Sequence, residues 1–84
     1  MKYALVNQYT KNAMRLQGVG VVLGTPAKEI KKGDFLMWNF GHKSQVIEIV
    51  KETEKTITIK EKICESNYIG ERKLLKSRLV CILK

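Results

Sequence analysis

Trp38, Phe40 and His42 fall within five residues of one another, with Lys43 adjacent. Along an extended segment they would share a face, because strand side chains alternate with a period of two. Aromatic faces beside cations suit one chemistry in particular. The rings stack on unpaired bases while the cations hold phosphate. The same residues also admit a structural reading. Trp38 can plug the end of the core with Phe40 covering it, since aromatics serve cores and interfaces alike. His42 is then an ordinary turn residue.

A second group of candidates lies near the C-terminus, where Arg72, Lys73, Lys76 and Arg78 interleave with Leu74 and Leu75. In a strand, Arg72, Leu74, Lys76 and Arg78 share one face and Lys73 lies opposite. The formal charge is +8 and the pI about 9.7. The excess sits at the two ends of the sequence. Residues 1–28 carry Lys2, Lys11, Arg15 and Lys28 and no acid, and residues 72–84 carry five cations and no acid. Terminal strands often pair in small closed barrels, which would merge both groups into one patch. Clustered cations are the footprint of a nucleic-acid binder; a solvated edge is the alternative.

Other chemistries find little support. His42, Cys64 and Cys81 are the only soft-metal candidates, and a structural zinc site needs four ligands at tight local spacing. Cys81 lies in an apolar run and reads as a small core residue. The two cysteines are expected as free thiols, since two make no disulfide framework. Gly18-Val-Gly20-Val-Val-Leu-Gly24 echoes a dinucleotide loop, but no helix of useful length follows to hold a pyrophosphate. The eight acids show no paired spacing for acid–base work. The chain is expected to be non-enzymatic and to need no metal or cofactor.

The elements that must position these residues are read as strands. Tyr3–Tyr9 suggests a first strand, residues 10–17 a loop or short helical turn, and Gly18–Leu23 a bent strand. Ala27–Ile30 suggests a single helical or 3₁₀ turn. Phe35–Trp38 is apolar throughout, as in a buried strand. Ser44–Val50 alternates imperfectly. Thr56–Ile63 alternates cleanly, with Ile57, Ile59 and Ile63 on one face. Lys51–Lys55 suits a hairpin loop, and Leu79–Leu83 a final strand. Short strands with glycine-rich turns imply an all-β sandwich or barrel. The expectation is one domain, 1–84, folded as a small SH3-like β-barrel of five or six short strands. Closure would remove edges that recruit other chains.

The stretch Ala27–Asp34, AKEIKKGD, resembles the opening turn of Hint domains, of the intein and hedgehog type, and of many SH3-like barrels. The longer pattern resembles small phage- and prophage-encoded proteins of uncharacterised function. Its pieces are Ala27, Ile30, Gly33-Asp34, Trp38 to Gly41, Val46 to Ile49, Lys55-Thr56-Ile57 and Arg72 to Val80. The resemblance covers roughly residues 25–82 and implies a small β-barrel of viral origin, with no known activity. Hint chemistry does not carry over. Protein splicing needs an initial nucleophile, an activating histidine and usually a terminal asparagine, and this chain ends Ile82-Leu83-Lys84.

No segment approaches the ~18 consecutive apolar residues that span a bilayer, and the N-terminus lacks the apolar centre of a signal peptide. A cytoplasmic location is expected, in the host cytoplasm if the chain is viral, with no membrane partner. The leading expectation is a basic nucleic-acid-binding module using Lys11, Arg15, Trp38, Phe40, His42, Lys43, Arg72, Lys73, Lys76 and Arg78. The rival is a phage-encoded factor inhibiting a host enzyme or defence complex, its basic face filling an acidic or nucleic-acid-binding groove.

Overall fold

The strands follow the β-branched and apolar runs. A computed structural model describes residues 2–84. In it β1 (Ala13–Leu16) and β2 (Gly20–Leu23) form an antiparallel pair. The other strands are β3 (Thr25–Pro26), β4 (Phe35–Met37), β5 (Lys43–Glu52), β6 (Thr56–Ile63), β7 (Ile69–Leu75) and β8 (Leu79–Leu83). They make one antiparallel sheet in the order β3-β8-β4-β5-β6-β7. Ala27–Glu29 and Asn39–Gly41 are 3₁₀ turns. Among the described residues no helix is long and apolar enough to cross a membrane.

The all-β class holds, but the expected SH3-like barrel does not. The chain folds as two open sheets, with eight strands among the described residues instead of five or six. The outer strands of the large sheet, β3 and β7, share no ladder. The physical reason lies in β3 and in the turn after β7. β3 has two residues and ends at Pro26, which has no N–H to donate. The turn at Lys76–Arg78 carries the chain away from β7, and β8 enters between β3 and β4.

Two cores flank the large sheet. Ala27, Ile30, Leu36, Val46, Ile57, Ile59, Leu74 and Val80 fill one. Leu16, Val22, Met37, Cys81 and Leu83 fill the other, where the β1–β2 hairpin contributes Leu16 and Val22. β4 and β8 are thus buried on both faces, which explains why their sequences are apolar without alternation. Burial pushes the Cys81 thiol above its ordinary pKa, as desolvation disfavours the thiolate. Cys64 is an exposed free thiol.

Two local expectations need correction. Tyr3–Tyr9 forms no strand; Leu5 makes one bridge to Val22, flanked by Val6 N–H to Val21 C=O and Leu23 N–H to Ala4 C=O. Residues 13–16, read as loop or helical turn, are β1. In β5, register shifts follow Val46 and Ile49. These bulges explain the imperfect alternation: Ser44 and Val46 are buried, and beyond the first shift Ile49 packs on the same core. The two ends of the chain meet through paired backbone bonds between Lys2 and Lys84, 2.7 and 2.8 Å, without forming a barrel seam.

Candidate nucleic-acid interface

The site is built around Trp38, which follows β4. Its ring packs against the main core. Its Nε1–H donates to the Oγ of Ser44 at 3.0 Å, and Ser44 is fully buried. The bond satisfies two polar groups that would otherwise be costly to bury. The outer part of the ring carries two guanidiniums, with Arg72 Cζ at 4.1 Å from the centroid and Arg78 Cζ at 5.7 Å. Both distances lie within cation–π range.

Arg72 is held a second way. Its Nε donates to Glu61 Oε2 at 2.7 Å. Glu61 is only 4% exposed, and its other oxygen, Oε1, has no partner among the described residues. Ile57, Ile59 and Glu61 lie on the inward face of β6, as Arg72 and Leu74 do on β7. The inward face therefore changes from an apolar core to a half-buried ion pair, with the carboxylate buried, at the end nearest Trp38. Sequence reading missed Glu61, yet its signal was present, as an acid at an inward position of the most regular amphipathic strand. Ser44 gave no such signal, and neither did Glu65, the partner of His42.

Phe40 lies in the 3₁₀ turn that follows Trp38. It has φ 63° and is 67% exposed. A left-handed conformation in a bulky non-glycine residue is strained. The turn is pinned to the β1–β2 hairpin. Phe40 N–H donates to the Gln17 carbonyl, and Gln17 N–H donates to Asn39 Oδ1 at 3.0 Å. Residues 39–41 are therefore not extended, and the expected shared face of Trp38, Phe40 and His42 arises differently. A turn curls them around one open groove of about 600 Å³.

Arg15, Trp38, Phe40, His42, Lys43, Arg72 and Arg78 all line that groove, with Met14, Leu16 and Ile63 as its apolar part. Arg15 comes from β1, Lys43 from the start of β5, Arg72 from β7 and Arg78 from the turn before β8. Cations from distant parts of the sequence thus meet at one place. His42 Nδ1 pairs with Glu65 Oε2 at 2.8 Å on the exposed rim. Arg15, Lys43 and Arg78 make no ion pair among the described residues.

Lys11, Lys73 and Lys76 are not part of the groove. Lys11 is on the exposed turn before β1. Lys73 points from the opposite face of β7, as the alternation predicts. Lys76 was expected to share a face with Arg72, but β7 ends at Leu75, and Lys76 Nζ pairs with Glu52 at 2.8 Å. Among the described residues no group of three or more His, Cys, Asp or Glu side chains is gathered to hold a metal.

No family model, curated protein or solved structure matches this chain. The resemblance to phage and prophage proteins and to SH3-like or Hint domains is therefore corrected: its short motifs recur in order without a relationship to support them, and the sheets are open.

Proposed function

We propose that the chain is a non-enzymatic module that binds single-stranded nucleic acid in the groove between the β1–β2 hairpin, the Trp38–Lys43 turn and the inward end of β7. The observation that carries this reading is the meeting of Arg15, Lys43, Arg72 and Arg78 around an exposed Phe40 in one groove. Trp38 serves as a scaffold rather than a stacking platform, because Arg72 and Arg78 already lie over its ring. Stacked guanidiniums are pre-organised donors for phosphate oxygens. Phe40 supplies the free aromatic face for a base. Its strained, exposed placement brings no core burial, and strain of this kind collects at functional sites. Base–aromatic stacking favours unpaired strands over duplex and tolerates any base. Phosphate contacts fix position without reading sequence.

The test is fluorescence polarisation with short labelled single-stranded DNA and RNA at low salt, using wild type and Phe40→Asn. Asn tolerates the left-handed region and keeps the backbone bond to the Gln17 carbonyl, and circular dichroism checks the fold of the variant. Binding by wild type, with roughly tenfold or greater weakening in Phe40→Asn, is expected from the loss of one stack. Absence of binding, equal affinity in the variant, or equally effective competition by polyglutamate would overturn the reading.

A further inference from the structure

The large sheet ends in two free edges of different character. The β3 edge has two residues and stops at a proline. The β7 edge has seven residues, and among the described residues no strand pairs with its outer side. Exposed backbone of this length is a template for another strand.

The β6–β7 register fixes which groups point outward. Ile63 N–H donates to the Tyr68 carbonyl and Lys76 N–H to the Lys55 carbonyl. These pairs continue the register Ile57–Leu74, Ile59–Arg72 and Glu61–Gly70. Hydrogen-bonded pairs alternate along an antiparallel ladder. Gly70, Arg72 and Leu74 therefore turn their backbone groups toward β6. Ile69, Glu71 and Lys73 turn theirs outward, whereas the Leu75 carbonyl accepts from Arg78 N–H at 3.0 Å in the turn that follows; the side chains of all four are exposed on one face.

That face reads apolar, acid, base, apolar, a pattern that is complementary to itself when reversed. We propose that β7 pairs antiparallel with β7 of a second copy of this chain, about a two-fold axis at Arg72. Such an interface is isologous. Outward backbone groups then meet outward groups at both Glu71–Lys73 pairs, which form the hydrogen-bonded centre of the ladder. Glu71 lies opposite Lys73 of the second copy and Lys73 opposite its Glu71. Ile69 and Leu75 meet at each end, covering side chains that are 49% and 59% exposed in one chain. On the inward face Gly70 offers no side chain against the opposing Leu74. The arginines at the axis are each already paired with their own Glu61. Shifting the centre by one residue in either direction would place outward groups of Glu71 opposite Glu71, or Lys73 opposite Lys73. Opposite charges across strands stabilise and like charges destabilise, so complementarity selects the register centred on Arg72.

Sedimentation equilibrium of the full chain over a concentration series provides the test, with Lys73→Glu and Glu71→Lys as variants. Both side chains are exposed and form no ion pair within the chain, and circular dichroism checks each fold. Wild type is expected to move from 9.6 kDa toward twice that mass. Each variant alone opposes like charges at both central pairs and dimerises about tenfold more weakly. Mixing the two variants restores opposite charges at both pairs and restores the dimer. Hydrogen exchange in wild type is expected to slow at the Glu71 and Lys73 amides only as concentration rises. A monomer at every concentration, variants that dimerise like wild type, or a mixture no tighter than either variant would overturn the proposal.

Discussion

Arg72 is held twice, by Glu61 at one nitrogen and by the Trp38 ring at its face. The pairing makes each partner necessary to the other. Arg72→Ala would leave a buried carboxylate with neither oxygen bonded and is expected to cost about 3 kcal/mol. Glu61→Ala is expected to cost less, because the Arg72 side chain is 38% exposed and water can solvate it. Replacing both at once, Glu61→Leu with Arg72→Met, is expected to restore stability close to wild type, since the buried carboxylate is removed together with its partner and apolar side chains fill the place. Urea denaturation of the three variants checks this, and a double variant as unstable as Arg72→Ala would refute it. The sign of these effects separates a structural role from a binding one. The double variant keeps the fold but loses a guanidinium from the groove.

At the scale of elements, the groove exists because the β1–β2 hairpin docks onto the 3₁₀ turn at Asn39–Gly41. Gly18 permits that contact. It has φ +76°, and an added Cβ would stand 2.8 Å from Phe40 Cδ1 and 3.2 Å from Phe40 Cα. Gly33 has φ +93° with nothing within 4 Å of an added Cβ. Gly33→Ala is therefore expected to cost only the left-handed backbone term of about 1–2 kcal/mol, and Gly18→Ala distinctly more. Matched denaturation curves check the difference, and equal costs would mean that the hairpin does not rest on Phe40. Much of this architecture was legible in the residues. Thr56–Ile63 and Leu79–Leu83 form strands with the expected bounds, and a 3₁₀ turn at Ala27–Glu29 lies within Ala27–Ile30, read as a helical or 3₁₀ turn. β1 was hidden because Lys11-Asn12 and Arg15 make its neighbourhood polar, and its ladder partner is only four residues long. Barrel closure was inferred from strand number and turn chemistry, which say nothing about whether the last strand finds the first. Here a proline-ended β3 and the insertion of β8 beside β4 decided it.

At the scale of the whole molecule, the +8 charge is not spread evenly over function. Lys76 is engaged by Glu52 outside the groove, whereas Arg78 lies over Trp38 with no acidic partner among the described residues. The candidate site was only partly readable for the same reason. The sequence showed which segments were rich in cations, but the end of β7 at Leu75 determined which of them face the aromatics. If the groove is where phosphates bind, its cations and not the bulk charge set the ionic-strength dependence. The most direct measurement is the slope of log affinity against log salt for single-stranded oligonucleotide, compared among wild type, Arg78→Ala and Lys76→Ala. Each lost phosphate contact is expected to lower the slope by about 0.7. The account predicts that drop for Arg78→Ala and the wild-type slope for Lys76→Ala. An unchanged slope in Arg78→Ala, or an equal drop in both variants, would contradict it.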